Sequence, residues 1–312
     1  MNNEHVLVTG GFGFIGSHLV EYLLAAHNHV TVIDNLSTGY LNNLQSVLPR
    51  IELVIGDLGD VLASKRVRLD SYDCVFHLAG NPYIPPSTEN PAFDFHVNLH
   101  NGFMLLEALR LTSNPPRLIN ISSAAVYGNP ACLPIRETDR TVPISPYGVS
   151  KLATERYVAV YSEIYGLRAT SLRLFSVYGP RQRKQVVYDL LGRLRNNSAC
   201  LEVLGDGSQA RDFIYVLDVV QAIVLAAEKA PGQGEAYNVA SGTMYSIAEL
   251  VAVLCDVCGL APEVVYTGQI RSGDAEKWGV DISRLQQLGF KPQVSLETGL
   301  VAVRDWCYAT IQ

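Results

Sequence analysis

The sequence predicts an α/β fold, a doubly wound parallel sheet with a smaller C-terminal lobe. Three observations carry this expectation. Short runs rich in β-branched residues alternate with helical patterns along the first half of the chain. A glycine repeat stands where the first of those runs gives way to the first helix. After about residue 172 the alternation loosens, with a loop at YGPRQRKQ, a turn at GDGSQARD and a tail carrying proline and glycine.

HVLVTG reads as the first strand and SHLVEYLLAAH as the first helix; HVTVIDN, IELVIGD, YDCVFHLAG, RLINISS and ATSLRLFS read as further strands. Strands separated by helices pair in parallel and are covered on both faces. FHVNLHNGFMLLEALRLT and SPYGVSKLATERYVAVYSEIYG read as long helices, apolar on more than one side. Helices of that kind predict a homodimer in which they pair with their copies. Ser145 and Pro146 supply the start of the second helix and Gly166 its stop. Neither repeats nor low-complexity segments interrupt the pattern, and no flexible linker is evident.

A chain of 312 residues with 48% hydrophobic and 17% charged residues can bury a large core and is globular in composition. The net charge of −6, from 24 basic and 30 acidic residues without a basic run, argues against nucleic acid as a partner. MNNEHVLVTGG lacks a cationic segment followed by a leader-length apolar run, and no apolar stretch approaches membrane-spanning length. A soluble cytoplasmic protein is the expectation, without a membrane partner. Cys74, Cys132, Cys200, Cys255, Cys258 and Cys307 show no disulfide-scaffold spacing and are expected to be free, mostly buried thiols. Cys255 and Cys258 lie late in a helical pattern without a second Cys or His pair. His96 and His100 could share a helix face, but no Glu follows His96 and no third ligand is suggested, so no metal is expected.

The first strand runs into TGGFGFIGSH, which places Gly10, Gly13 and Gly16 at the turn and at the start of the first helix. Glycine suits these positions because the backbone turns tightly and approaches a pyrophosphate, whose charge then rests at the helix amino end. The second strand ends in Asp34, eighteen residues after Gly16. A carboxylate there accepts hydrogen bonds from ribose hydroxyls and repels a 2′-phosphate, which favours NAD over NADP. Residues 1–172 are therefore expected to form a Rossmann-type NAD-binding domain. Residues 173–312 are expected to form mainly a substrate-binding lobe, with some segments returning to the first domain.

Tyr147 stands four residues before Lys151 at the start of a helix, so the two share one face a turn apart. A lysine beside a phenol favours the phenolate, and a group with a reference pKa of about 10 could then act as a base near neutrality. The same spacing also fits two surface residues of an ordinary helix. Residue pattern alone leaves both readings open.

TGGFGFIGSH, DNLSTG at 34–39, GDL at 56–58, HLAG at 77–80, SSAAVYG at 122–128, SPYGVSK at 145–151, YGPRQ at 178–182, GDGSQARDFIYVLD at 205–218 and RSGD at 271–274 follow one another in this order. Together they resemble the extended short-chain dehydrogenase/reductase family, and within it the nucleotide-sugar epimerases of the UDP-glucose 4-epimerase type. The resemblance covers essentially the whole chain. It implies that Tyr147 takes a proton from a sugar hydroxyl, that Lys151 holds the nicotinamide ribose and keeps Tyr147 ionisable, and that Ser123 hydrogen-bonds the reacting oxygen. Around NAD it implies Phe14 and Ile15 beside the glycines, Asn35, Ser37, Thr38 and Gly39 after Asp34, then Asp57 and Leu58, Leu78, Ala79 and Gly80, and Asn98.

For a UDP-sugar substrate, the resemblance implies that Arg211 and Arg271 grip the diphosphate and that Val203 lies against the base, with Asp274 also at the substrate. Trp278, seven residues after Arg271, falls at the gate over the 2-position of the hexose. An aromatic residue there fills the space of an N-acetyl group, which favours UDP-glucose and UDP-galactose. Family dehydratases carry an acid directly after the Ser/Thr of the SSAAVYG stretch; Ala124 and Ala125 stand there and cannot transfer a proton. Ser176 replaces the usual asparagine, and Asn81-Pro82 follows HLAG where a polar or basic residue is usual. Ser176 with Arg183 at seven residues' spacing resembles members acting on a 6-carboxylate, which keeps a UDP-glucuronate 4-epimerase as the alternative. An N-acetylhexosamine epimerase, a sugar-nucleotide reductase and a non-catalytic dinucleotide-binding protein are further alternatives.

Overall fold

The computed structural model describes residues 1–269 and 277–310. In chain order its strands are β1 (His5–Thr9), β2 (His29–Asp34), β3 (Ile51–Ile55), β4 (Cys74–His77), β5 (Arg117–Ser123), β6 (Ala169–Leu174), β7 (Ser176–Tyr178), β8 (Cys200–Val203), β9 (Ala210–Tyr215), β10 (Gln233–Val239), β11 (Met244–Ser246), β12 (Glu263–Tyr266) and β13 (Lys277–Trp278). Seven of them form one parallel sheet in the order β10-β6-β5-β4-β1-β2-β3. The order reverses between β1 and β4, the switch point of a Rossmann-type sheet. The α/β expectation therefore holds.

Period-two alternation makes both faces of this sheet apolar. Val6 and Val8 of β1 enter a core that also holds Val32, Phe76 and the Val216–Lys229 helix, whereas Leu7 enters a second core with Ile33, Val75, Leu105 and Leu109. The smaller sheets lie in the second half of the chain. β9 pairs with β7 and β13 in parallel and with β11 antiparallel, while β8 pairs with β12.

Two helices matter most for the site. Phe14–Ala25 begins at Gly13, which offers no side-chain cap, and its first turn carries no acidic residue. Its leading N–H groups are left to a ligand or to solvent. Pro146–Tyr165 is started by Ser145, whose hydroxyl accepts the Gly148 N–H at 3.1 Å, and stopped by Gly166 in the left-handed region at φ 70°. The helix expected over 95–112 is interrupted: Pro91–Asp94 and Asn101–Arg110 are α-helical, but Phe95–His100 is a π-turn. Such wide turns need a reason in the side chains they present, and this one presents Asn98. Among the described residues, no helix is long and apolar enough to cross a membrane.

Candidate active site

The carboxyl ends of the parallel strands open into a cavity of about 950 Å³. Its wall collects residues at or just after the ends of six of the seven strands: Gly10 after β1, Asp34 at the end of β2, Gly56 after β3, Leu78 after β4, Ser123 at the end of β5 and Phe175 after β6. A parallel sheet puts its ligand there because the loops diverge at the switch point.

Gly10, Gly13, Phe14, Ile15 and Gly16 line the dinucleotide side. A Cβ on Gly16 would lie 2.1 Å from the Gly10 carbonyl oxygen, and one on Gly10 would lie 2.8 Å from the Ala79 nitrogen, so only glycine lets strand and helix approach this closely. Asp34 Oδ2 accepts the Phe12 N–H at 2.9 Å and Oδ1 the Leu36 N–H at 2.7 Å. Burial raises its pKa above the usual carboxylate range, with those two bonds opposing. Each oxygen retains capacity for a ribose hydroxyl. Asn35, Ser37, Thr38, Asp57, Leu58, Leu78, Ala79 and Gly80 line the same cavity.

Two expected cofactor residues do not line it. Gly39 packs against Phe12, where a Cβ would come 2.9 Å from the Phe12 Cβ, so glycine lets the 34–40 loop close here. Asn98 is buried one layer back, with Nδ2 donating to Asp94 Oδ1 at 2.8 Å and to the Asn81 carbonyl at 3.3 Å. Its Oδ1 is buried without a hydrogen-bond partner, close behind Gly80.

The chemical centre lies where β5 meets the Pro146–Tyr165 helix. Ser123, Tyr147 and Lys151 all line the cavity. The Ser123 hydroxyl bonds to the Tyr147 phenol, and Lys151 Nζ lies 6.0 Å from the Tyr147 ring centroid while donating to the Ile121 carbonyl at 3.1 Å. The expectation that the lysine brings the phenol toward neutrality is not met in this state. Burial pushes Tyr147 up to about 12, outweighing the Ser123 bond, and burial also brings Lys151 down to about 8, with Asp94 opposing. A helical face predicts adjacency but not depth, and depth dominates here.

The same cavity is lined by Ser176, Arg183, Val203, Arg211 and Trp278. The Arg211 guanidinium lies 5.6 Å from the Trp278 ring centroid, and the Trp278 ring meets Phe175 edge-on at 5.9 Å. Trp278 Nε1 is buried without a hydrogen-bond partner. The Arg183 guanidinium stacks on Tyr40 at 4.2 Å and lies 5.9 Å from the Trp306 ring centroid. Arg271 and Asp274 lie outside the described residues. His96 and His100 stack at 5.0 Å, His96 Nε2 standing 4.0 Å from Asp57 Oδ1. Of the cysteines, Cys74, Cys255 and Cys307 are buried, Cys200 and Cys258 half-buried and Cys132 exposed, and all are free thiols.

Several contributors were missed. Glu155 follows Lys151 by four residues on the same helical face and joins Arg173, Ser122 and Tyr127 in a buried network beneath the Ser123 end of β5. The recurrence of 147, 151 and 155 was the available signal. Asp94 has no sequence signal beyond standing four residues before Asn98.

An open helix amino end over a glycine cradle, a carboxylate at the end of β2 and a Ser-Tyr-Lys group lining one cavity define a dinucleotide-dependent enzyme, and these residues fit NAD. The chain belongs to the NAD dependent epimerase/dehydratase family, whose model matches residues 6–240, and is an NAD-dependent epimerase. It is 34% identical to a UDP-glucose 4-epimerase of Mycolicibacterium smegmatis over 94% of this chain and 95% of that one. Among solved structures, it superposes with a TM-score of 0.92 on the UDP-N-acetylglucosamine 4-epimerase of Methanobrevibacter ruminantium in complex with UDP-N-acetylmuramic acid, at 34% identity and covering all of both chains. The TM-score is 0.86 to the UDP-glucuronic acid 4-epimerase of Bacillus cereus in complex with UDP-glucuronic acid and NAD, at 30% identity over 98% of this chain and 99% of that one.

Proposed function

We propose that this enzyme is a UDP-sugar 4-epimerase that interconverts UDP-glucose and UDP-galactose. The observation that carries the 4-epimerase reading is the convergence of Ser123, Tyr147 and Lys151 on the cavity that also holds the glycine cradle. Tyr147 accepts the proton of the sugar 4-hydroxyl, Ser123 hydrogen-bonds the same oxygen, and Lys151 supplies a cation beside the phenol. NAD held by the glycine cradle and Asp34 would supply a hydride acceptor and donor for that same carbon, so no outside redox partner would be required. Ala124 and Ala125, both buried, place no acid beside the sugar, which opposes dehydration. Arg211 offers a guanidinium to the diphosphate, and the β7–β9 and β11–β13 elements serve as the substrate lobe.

Trp278 supports the unsubstituted hexose, because its ring is braced against Phe175 and occupies cavity wall that an N-acetyl group would need. A second reading, UDP-glucuronate, is favoured by one observation: Ser176 and Arg183 line the same cavity and Arg183 Nε is buried without a hydrogen-bond partner. A carboxylate removed from water would satisfy that donor. Turnover of purified protein on a panel of UDP-glucose, UDP-galactose, UDP-glucuronate and UDP-N-acetylglucosamine tests both. Highest kcat/KM on UDP-glucose and UDP-galactose upholds the first reading, and highest kcat/KM on UDP-glucuronate replaces it with the second.

A further inference from the structure

Asp94 is wholly buried, yet it is a carboxylate. Burying that group is costly unless donors surround it, and three side chains do. Asn81 Nδ2 and Asn98 Nδ2 donate to Oδ1 at 3.0 and 2.8 Å, and the Ser150 hydroxyl donates to Oδ2 at 2.8 Å. Ser150 sits on the Pro146–Tyr165 helix between Tyr147 and Lys151. Because a carboxylate can only accept, it obliges Asn98 to present its Nδ2 and turns the amide oxygen the other way. That oxygen then lies 2.3 Å from where a Gly80 Cβ would stand, and Lys151 Nζ lies 3.5 Å from the same point.

We propose that Asp94 is a positioning residue for the reaction: it orients the Asn98 amide oxygen toward the Gly80 and Lys151 side, and it supplies the buried negative charge that keeps Lys151 a cation. The inference rests on the assignment of Tyr147 and Lys151 to proton transfer. Among the titratable groups around this carboxylate, Tyr147 and Lys151 come from the helix packed on it, and His77 at the end of β4 lies on the far side of Lys151. On its own stretch Glu89 is exposed, His96 is directed to Asp57 and His100 stacks on His96. His77 is held neutral by burial, with Lys151 adding to the effect, so it brings no competing charge near pH 7. Asp94 accordingly raises the pKa of both Tyr147 and Lys151.

Asp94→Asn separates charge from shape. The asparagine Oδ1 can still accept from Asn81 and Asn98, and its Nδ2 can donate to the Ser150 hydroxyl, which accepts as readily as it donates. The experiment follows Lys151 by its ¹³Cε signal through a pH titration of the full-length chain freed of NAD, assigned with Lys151→Arg. Epimerase activity is measured in parallel across pH. In Asp94→Asn the Lys151 titration is expected to fall by about one pH unit. Because Asp94 raises Tyr147 as well as Lys151, kcat near pH 8 and KM for the UDP-sugar are each expected to stay within about twofold of wild type, while the break in the pH profile moves down with Lys151. Ser150→Ala, which removes a hydrogen bond but leaves the charge, should leave the Lys151 titration in place.

An unchanged Lys151 titration in Asp94→Asn, or an equal shift in Ser150→Ala, overturns the proposal. If Asp94→Asn does not fold, the wild-type titration decides: loss of the Lys151 proton near pH 8 supports it, and loss below about pH 6, where an unsupported buried lysine falls, overturns it. The titration needs no turnover, so a chain inactive on every UDP-sugar would refute the assigned activity while leaving the Asp94 measurement readable.

Discussion

Arg173 and Glu155 form a buried, two-pronged ion pair, with Arg173 Nε 3.0 Å from Glu155 Oε2, Arg173 Nη2 2.5 Å from Oε1, and each side chain 4% exposed. The pair ties β6 to the helix that carries Tyr147 and Lys151. Glu155 also accepts the Ser122 hydroxyl at 2.9 Å, one residue from Ser123. Removing one partner strands the other charge in the interior. Glu155→Gln should therefore cost about 3 kcal/mol of stability and lower turnover as the Ser123 end of β5 loosens. A denaturant midpoint within error of wild type would contradict this.

Tyr147→Phe removes the proposed proton acceptor and almost no contact area. Turnover should fall by roughly 10²–10⁴-fold while UDP-sugar binding, measured by calorimetry, stays within a few-fold. Rates within about tenfold of wild type would remove Tyr147 from the chemistry.

The pH dependence follows from the order of two groups. In the proposed chemistry the productive form has Tyr147 ionised and Lys151 protonated, but burial pushes Tyr147 up to about 12 and brings Lys151 down to about 8. Below about pH 8 Lys151 keeps its proton, and each unit of rising pH gains phenolate about tenfold. Above it, the gain in phenolate is cancelled by loss of the lysine cation. We expect kcat/KM to climb to about pH 8 and then level. A profile that falls from pH 6 upward would show that another group controls the rate.

Trp278→Ser should open the wall that Phe175 now braces. The expected result is at least a roughly fivefold gain in kcat/KM for UDP-N-acetylglucosamine, about 1 kcal/mol, with little gain for UDP-glucose. Equal wild-type efficiency on both sugars would mean that Trp278 is packing alone.

Phe95, Val149, Tyr157, Val160, Ile164 and Tyr165 are exposed on the two helical stretches expected to pair between subunits. Such a surface is unusual on a monomer. A homodimer is expected by light scattering, and Val160→Glu should shift it toward monomer. A wild-type chain that is monomeric at micromolar concentration would end this proposal.

The parallel sheet was legible because its central strands are buried on both faces and read as continuous apolar runs, Val6 to Val8 being the plainest case. The crowding at Gly10 and Gly16 was legible because the tight turn from strand into helix leaves no room for a Cβ. The state of Tyr147 was not, since the four-residue spacing to Lys151 gives neighbourhood and burial decides the proton. Asp94 and Arg173 were also invisible. Their partners lie 56 and 18 residues away, and only the packing of the helix on the sheet brings them together. Gly39 and Asn98 do not line the cavity, and a motif does not distinguish residues that touch a ligand from those that hold up the ones that do.

The last strand of the large sheet has a consequence for the chain while it is being made. β10 closes the edge beside β6, yet the whole β7–β9 region must be translated before Gln233–Val239 leaves the ribosome. At about 5–20 residues per second, several seconds separate the appearance of Leu174 from that of Val239. During that interval β6 offers an unpaired edge beside an apolar surface, and the Tyr127 hydroxyl waits for Asn238, its acceptor at 2.6 Å in the finished protein. The nascent protein is thus most open to wrong pairing in mid-synthesis, and slowing translation between Leu174 and Gln233 should lower the yield of native enzyme more than the same delay placed after Val239.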